Sequence, residues 1–278
     1  MKIFYNIKSF WPGFIENTDA VTSNFFTTIF KNVFNDVTIT FNIEEANLLC
    51  ESVFGDSLLK YKNWDCSILY SGESYIFNNY LEYTLVLHNV DNQQNIINCP
   101  FYVPYLYCTQ YDIKNINPRT DIAKNEIVAI ISNGNGVERN KILEELEKHF
   151  KITYAGRYKN NIGYNLPFKY YSQEQIKFLN NYKFVVCCEN SIVDTYVTEK
   201  ICNGMLAQSI PIYLGTERVN EYFNKERFIN TSNINYIDQI KELMNDDNKW
   251  LEMVNKPNTN KLRTIDDIIN DIKSKLLV

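Results

Sequence analysis

The sequence predicts an α/β protein made of two lobes joined near residue 120 and closed by a terminal helix. Three observations point there. Apolar runs of strand length alternate with amphipathic helical stretches almost throughout. A polar, Pro-containing stretch, Asp112 to Asn125, interrupts that alternation. The alternation then restarts, and 278 residues are enough for two ordinary domains. The expected boundaries are 1–122 and 123–278, with the terminal helix in the second lobe.

In the first lobe "KIFYNI" and "DVTITF" read as strands, with "NFFTTIFKNVF" between them as an amphipathic helix. "ANLLCESVFG" and "DCSILYSGE" are apolar runs ending in polar turns, and "YTLVLHN" is a further strand. "CPFYVPYLYC" reads as an aromatic segment broken by Pro104. In the second lobe "EIVAIISN", "KITYAG", "KFVVCC" and "SIPIYLG" are strands. Between them lie a helix from Val137 to His149 and a Ser-capped helix in "SQEQIKFLNNY". A third helix, Val197 to Gln208, carries Val197, Ile201 and Met205 at spacing four. From Thr264 a terminal helix shows Ile265, Ile268, Ile269, Ile272 and Leu276 on one stripe. The sequence holds no internal repeat and no low-complexity tract.

The composition is globular, 45% hydrophobic and 22% charged. A net charge of −5 speaks against nucleic acid as a partner. Seven scattered cysteines without a C-x-x-C pair, and two histidines, speak against a zinc site. They read instead as reduced, buried thiols in a reducing compartment, and the expected location is the cytoplasm. No run reaches the length of a membrane span, and "MKIFYNIKSFWPGF" reads as a first strand, not a signal peptide.

Three places could carry chemistry. "SNGNGVERN" follows a strand and opens a helix, where a Gly-rich turn can present amides to phosphate. Arg139 stands where a dinucleotide fingerprint needs its third Gly, and no G-K-[ST] follows, so both nucleotide motifs fail. That speaks against a Rossmann oxidoreductase. "KFVVCCEN" ends a buried strand on Glu189 and Asn190, the end where open α/β sheets bind ligands. Glu199 and Lys200 fall in the first turn of the next helix, where a Lys opposes the helix dipole unless an anion neutralises both. "ILYSGESY" places Glu73 at a loop tip after another strand. Taken one at a time, a solvated charge would explain each site as well. Together they suggest a shared cleft between the lobes.

"FVVCCENSIVDTYVTEKICNGMLAQSIPIYLG" closely resembles the signature of the α1,3/4-fucosyltransferases. "ISNGNGVERN", the loop "YAGRYKNNIGY" and "LYSGES" resemble further segments of that family, so the likeness runs from about Ala46 to Asn224. Cys188 replaces the family's usual aromatic before E-N-S. The resemblance implies two facing Rossmann-like lobes of the GT-B type with a cleft between them. The first lobe would bind the acceptor and the second a GDP-sugar. It implies inverting transfer of L-fucose from GDP-fucose to a glycan hydroxyl of the N-acetylglucosamine type. Glu73 resembles the general base, and Arg139 and Lys200 the groups that hold the pyrophosphate. Glu189, Asn190, Tyr196, Glu199 and Lys159 would belong to the donor site. No obligatory cofactor or metal is expected, a divalent ion such as Mn2+ at most stimulating turnover. "IDDII" lies in a terminal helix, out of place for a metal diphosphate. The alternatives are the same fold with another nucleotide sugar, and a carbohydrate-binding relative without catalysis.

Overall fold

The computed structural model describes residues 1–10 and 24–276; the last part of the opening stretch, 11–14, lies outside them. The chain divides into two compact units, the first formed by Met1–Cys108 with Arg263–Val278 and the second by Thr109–Leu262. The division therefore falls before the expected boundary at 122/123, and the terminal helix belongs to the first unit rather than the second.

The first unit holds a six-stranded sheet: β1 (Lys2–Tyr5), β2 (Thr38–Ile39), β3 (Leu48–Ser52), β4 (Cys66–Tyr70), β5 (Leu85–His88) and β6 (Ile96–Asn98), in the order β2-β1-β3-β4-β5-β6. All neighbouring pairs are parallel. Every residue of β3 and β4 is buried, which is why both read as largely apolar runs without period-two alternation, the polar Glu51, Ser52 and Ser67 being buried as well. Helix α1 (Phe25–Val33) buries Phe25, Phe26, Ile29, Phe30 and Val33, and Asn24 caps it by accepting from the Thr27 amide.

The Pro-broken aromatic segment is in fact a helix, α2 (Tyr102–Thr109). Pro104 sits in its first turn, where no amide is needed for the helical ladder. Strand β6 is three residues long and too short to leave a periodic signal.

The second unit holds a five-stranded parallel sheet: β7 (Asn125–Ala129), β8 (Ile152–Tyr154), β9 (Tyr182–Cys188), β10 (Ile210–Leu214) and β11 (Ile229–Asn230). Its order is β11-β10-β9-β7-β8, so the winding reverses between β7 and β9. Loops at the carboxyl ends of strands flanking such a reversal form a crevice. Helices α3 (Val137–Glu147), α4 (Gln173–Leu179), α5 (Lys200–Leu206), α6 (Val219–Tyr222), α7 (Tyr236–Asn245) and α8 (Asp247–Val254) complete it. Leu143, Phe184, Ile212, Ile240 and Trp250 meet in one core. As expected, the Ser172 hydroxyl caps α4, accepting from the Gln175 amide.

Helix α9 (Ile265–Leu276) packs its Ile268, Ile269 and Ile272 stripe in the first unit, against α1 and β6. Arg263 fastens its start, the backbone amide donating to the Tyr102 hydroxyl (3.1 Å) and Nε to the Asn98 carbonyl (2.6 Å). Thr264 and Asp267 close a reciprocal capping box. An amphipathic stripe states that a helix must dock but not on what, so sequence order alone assigned α9 to the wrong unit.

Candidate active site

A cavity of about 300 Å³ opens at the carboxyl ends of β7 and β9, at the winding reversal. That volume lies at the lower end of the range for small-molecule sites. Arg139, Asn190, Glu199 and Lys200 line it, four of the residues singled out in the sequence.

Arg139 enters from the third residue of α3 and is 5% exposed. Its Nη1 donates to Asn190 Oδ1 at 2.8 Å, and its Nη2 to the Asn133 carbonyl. Nε is buried and has no hydrogen-bond partner among the described residues. A buried donor left unmet costs roughly 1–3 kcal/mol, so this edge of the guanidinium is held at a cost to stability. Gly136 makes room for it: a Cβ there would lie 2.9 Å from the guanidinium carbon. Burial pushes the Arg139 guanidinium below its ordinary range, yet leaves it a cation.

Lys200 stands where α5 begins. The helix opens there, three residues later than its apolar stripe suggests, and Glu199 occupies the N-cap without capping an amide. The ammonium donates to Glu189 Oε2 and to Thr198 Oγ1, both at 3.1 Å, and Glu199 Oε1 stands 3.9 Å away. Burial would pull its pKa down, but the Glu189 and Glu199 carboxylates more than offset that and hold it above the lysine range. A lysine in a first turn therefore needs no external anion here, because Glu189 already supplies the counter-charge. Of the Glu189, Thr198 and Glu199 oxygens, only that of Glu199 lies beyond hydrogen-bond distance of the ammonium.

Glu189 lies behind the cavity, not on its wall, and is 1% exposed. Oε1 accepts from the Thr198 amide and Oε2 from the Thr198 hydroxyl, both at 2.7 Å. Burial pushes its carboxyl above the usual range, against the pull of Lys200. Tyr196 is also buried and lies outside the lining set, its charge interaction with Lys200 placing it nearby. Lys159 is not brought to the cavity. Both Glu147 oxygens bind its ammonium at 2.9 Å, over the Tyr154 ring. Glu73 belongs to the first unit, in the loop after β4, where its amide donates to Ser71 Oγ at 3.2 Å.

Sequence reasoning missed Tyr170, Gln175 and Asn203, which also line the cavity. Tyr170 donates its hydroxyl to Glu199 Oε1 at 3.0 Å and so fixes that carboxylate. Gln175 is buried and accepts the Tyr171 amide at 2.8 Å. Asn203 follows Lys200 by three residues, a spacing that puts both on one helix face and could have identified it.

A family model described as glycosyltransferase family 10 (fucosyltransferase), C-terminal, matches residues 122–265, about half of the chain. An α-(1,3)-fucosyltransferase of Helicobacter pylori is 33% identical over 156 residues, covering 54% of this chain and 31% of that protein. A mouse 4-galactosyl-N-acetylglucosaminide 3-α-L-fucosyltransferase is 32% identical over 136 residues, covering 46% of this chain and 33% of the relative. The chain thus spans about a third of the length of these curated relatives. In fold, an α1,3-fucosyltransferase crystal structure superposes on 100% of the chain and 90% of its own, with a TM-score of 0.77 at 22% identity. A crystal structure of α1,3-fucosyltransferase with GDP gives 0.76 at 21% identity, with the same coverage of both chains.

Proposed function

Because the chain belongs to glycosyltransferase family 10 (fucosyltransferase), we propose that it is an inverting α1,3-fucosyltransferase. It moves L-fucose from GDP-fucose to a hydroxyl of a glycan acceptor of the N-acetylglucosamine type. The observation that carries this reading is the cavity at the β7/β9 reversal, which the two cationic side chains Arg139 and Lys200 line together.

Inverting transfer passes through an oxocarbenium-like state as the diphosphate leaves. Positive charge fixed in advance on the leaving-group side lowers that barrier. The Arg139 guanidinium and the Lys200 ammonium supply it, and both groups stay protonated through the reaction. Asn190 and Tyr196 help orient the pyrophosphate and sugar, and Glu199, held by Tyr170, accepts from donor hydroxyls. Glu189 acts through Lys200 instead of touching the donor. In the first unit Glu73 is the general base that takes the acceptor proton. With cations serving the diphosphate, turnover has no obligatory metal. Among the described residues no helix is long and apolar enough to cross a membrane, and all seven cysteines are free. The free thiols support a reducing, cytoplasmic setting.

The test is calorimetric titration with GDP-fucose, GDP-mannose, UDP-galactose and GDP. GDP and GDP-fucose are expected to bind, with affinity reduced at least tenfold in Lys200→Ala. Binding of the UDP-sugar alone would discard the fucosyl donor, and binding of none would favour a relative without catalysis.

A further inference from the structure

A second cavity, of about 190 Å³, lies in the second unit and shares no lining residue with the first. Its walls come from the segment around Lys114, the end of α5 near Gln208, Arg227, and the stretch around Lys256 and Asn258. Three cations and no carboxylate line it. Lys256 leans outward to Glu226 at 3.5 Å, a partner 62% exposed and so a weak counter-charge.

Arg227 is the unusual member. It is 0% exposed, and Nη1 donates to the Ser209 carbonyl at 2.8 Å. Its buried Nε has no hydrogen-bond partner among the described residues. A buried charge without a carboxylate carries a desolvation cost that neutral hydrogen bonds only partly offset. Burial accordingly pushes this guanidinium down to about 9. Asn258 adds a complementary defect. Its Nδ2 donates to the Ile113 carbonyl at 3.0 Å, which leaves Oδ1 buried and unpaired. The residues lining the cavity thus include three cations, one of them with an unmet donor, and one unmet acceptor. A fully deprotonated oxyanion would satisfy only the former.

We propose that this cavity binds a small oxyanion of the phosphate class that still carries a proton or hydroxyl. Arg227, Lys256 and Lys114 neutralise it, and Asn258 Oδ1 accepts from it. Bound there, the anion ties the segment entering the second unit to the one leaving it, since Lys114 and Asn258 lie close in sequence to its limits at Thr109 and Leu262.

The experiment titrates the whole chain with inorganic phosphate, and in parallel with glycerol phosphate, by calorimetry. It compares wild type with Lys200→Ala, Arg227→Met and the double variant Lys114→Met/Lys256→Met, whose altered side chains lie nearer the surface than Arg227. The expected result is one site kept in Lys200→Ala and weakened at least tenfold in both cavity variants. The tighter of the two probes separates a free ion from a monoester. Sulfate, which has no proton to donate near neutral pH, is expected to bind at least fivefold more weakly. Phosphate binding lost only in Lys200→Ala would place the anion in the other cavity and overturn the proposal. So would undetectable binding of both probes, binding unchanged in the double variant, or sulfate binding as tightly as phosphate. None of these outcomes bears on whether GDP-fucose occupies the first cavity.

Discussion

Removing the Glu189 carboxylate is expected to cost more than removing a residue that faces the cavity. Glu189→Gln keeps the shape but leaves Lys200 without its nearest counter-charge in a buried setting, and breaking one partner of such a pair costs on the order of 3–5 kcal/mol. Urea unfolding checks the stability loss, and GDP titration a parallel loss of affinity. The pH dependence has a definite sign. The pair holds Lys200 above its ordinary value of 10.5, so that stabilisation is complete below 10.5 and fades as pH rises through the elevated value. The difference between wild type and Glu189→Gln is therefore expected to stay level from neutral pH up to about 10 and shrink only above it. Glu73→Gln is expected to lower turnover by about 10²–10⁴-fold while leaving GDP affinity within a factor of two. Near-normal transfer would remove Glu73 from the role of base. Lys200 and Arg139 could be singled out because each is a cation in the first turn of a helix, where it opposes the dipole. The task of Glu189 could not be read, because the same letter serves equally for a wall contact and a hidden counter-charge.

Gly136, in the turn before α3, and Gly156, just after β8, are two different kinds of glycine. At Gly136 the atoms nearest a Cβ belong to the far end of the Arg139 side chain, whereas at Gly156 it would lie 2.2 Å from the Ile131 carbonyl oxygen, which is backbone and cannot yield. Gly136→Ala is expected to fold normally, displace the guanidinium from Asn190 and weaken GDP binding by about tenfold, the size of one charged hydrogen bond. Gly156→Ala is expected to give little folded protein; expression and circular dichroism of the two variants decide. Most strands could be read directly, since buried parallel strands such as β4 and β9 are predominantly apolar, with only Ser67 and Lys183 breaking the runs. Between residues 216 and 255 the short elements α6 and β11 carry too few residues for either periodicity to register. At α2, a proline that reads as a break sits where a helix tolerates it.

The molecule divides into two units, as the restart of the alternation suggests, but the terminal helix crosses back to the first. Ile268 is 0% exposed and Ile272 is 1% exposed on α9, so Ile268→Ala and Ile272→Ala are each expected to cost about 2–5 kcal/mol. Hydrogen exchange is expected to locate that loss in β5, β6 and α1, with GDP affinity retained. Equal loosening of the β9 sheet would mean that the units unfold as one. The return of α9 also sets an order of biosynthesis. A ribosome releases about 5–20 residues per second, so everything that the second unit needs has emerged before Arg263 does. The unit that begins the chain must wait, lacking its last helix, while the one inserted within it is completed. A chaperone holding the nascent chain would find its apolar target on α1 and β6, and a stalled or truncated chain would present a finished second unit beside an unfinished first.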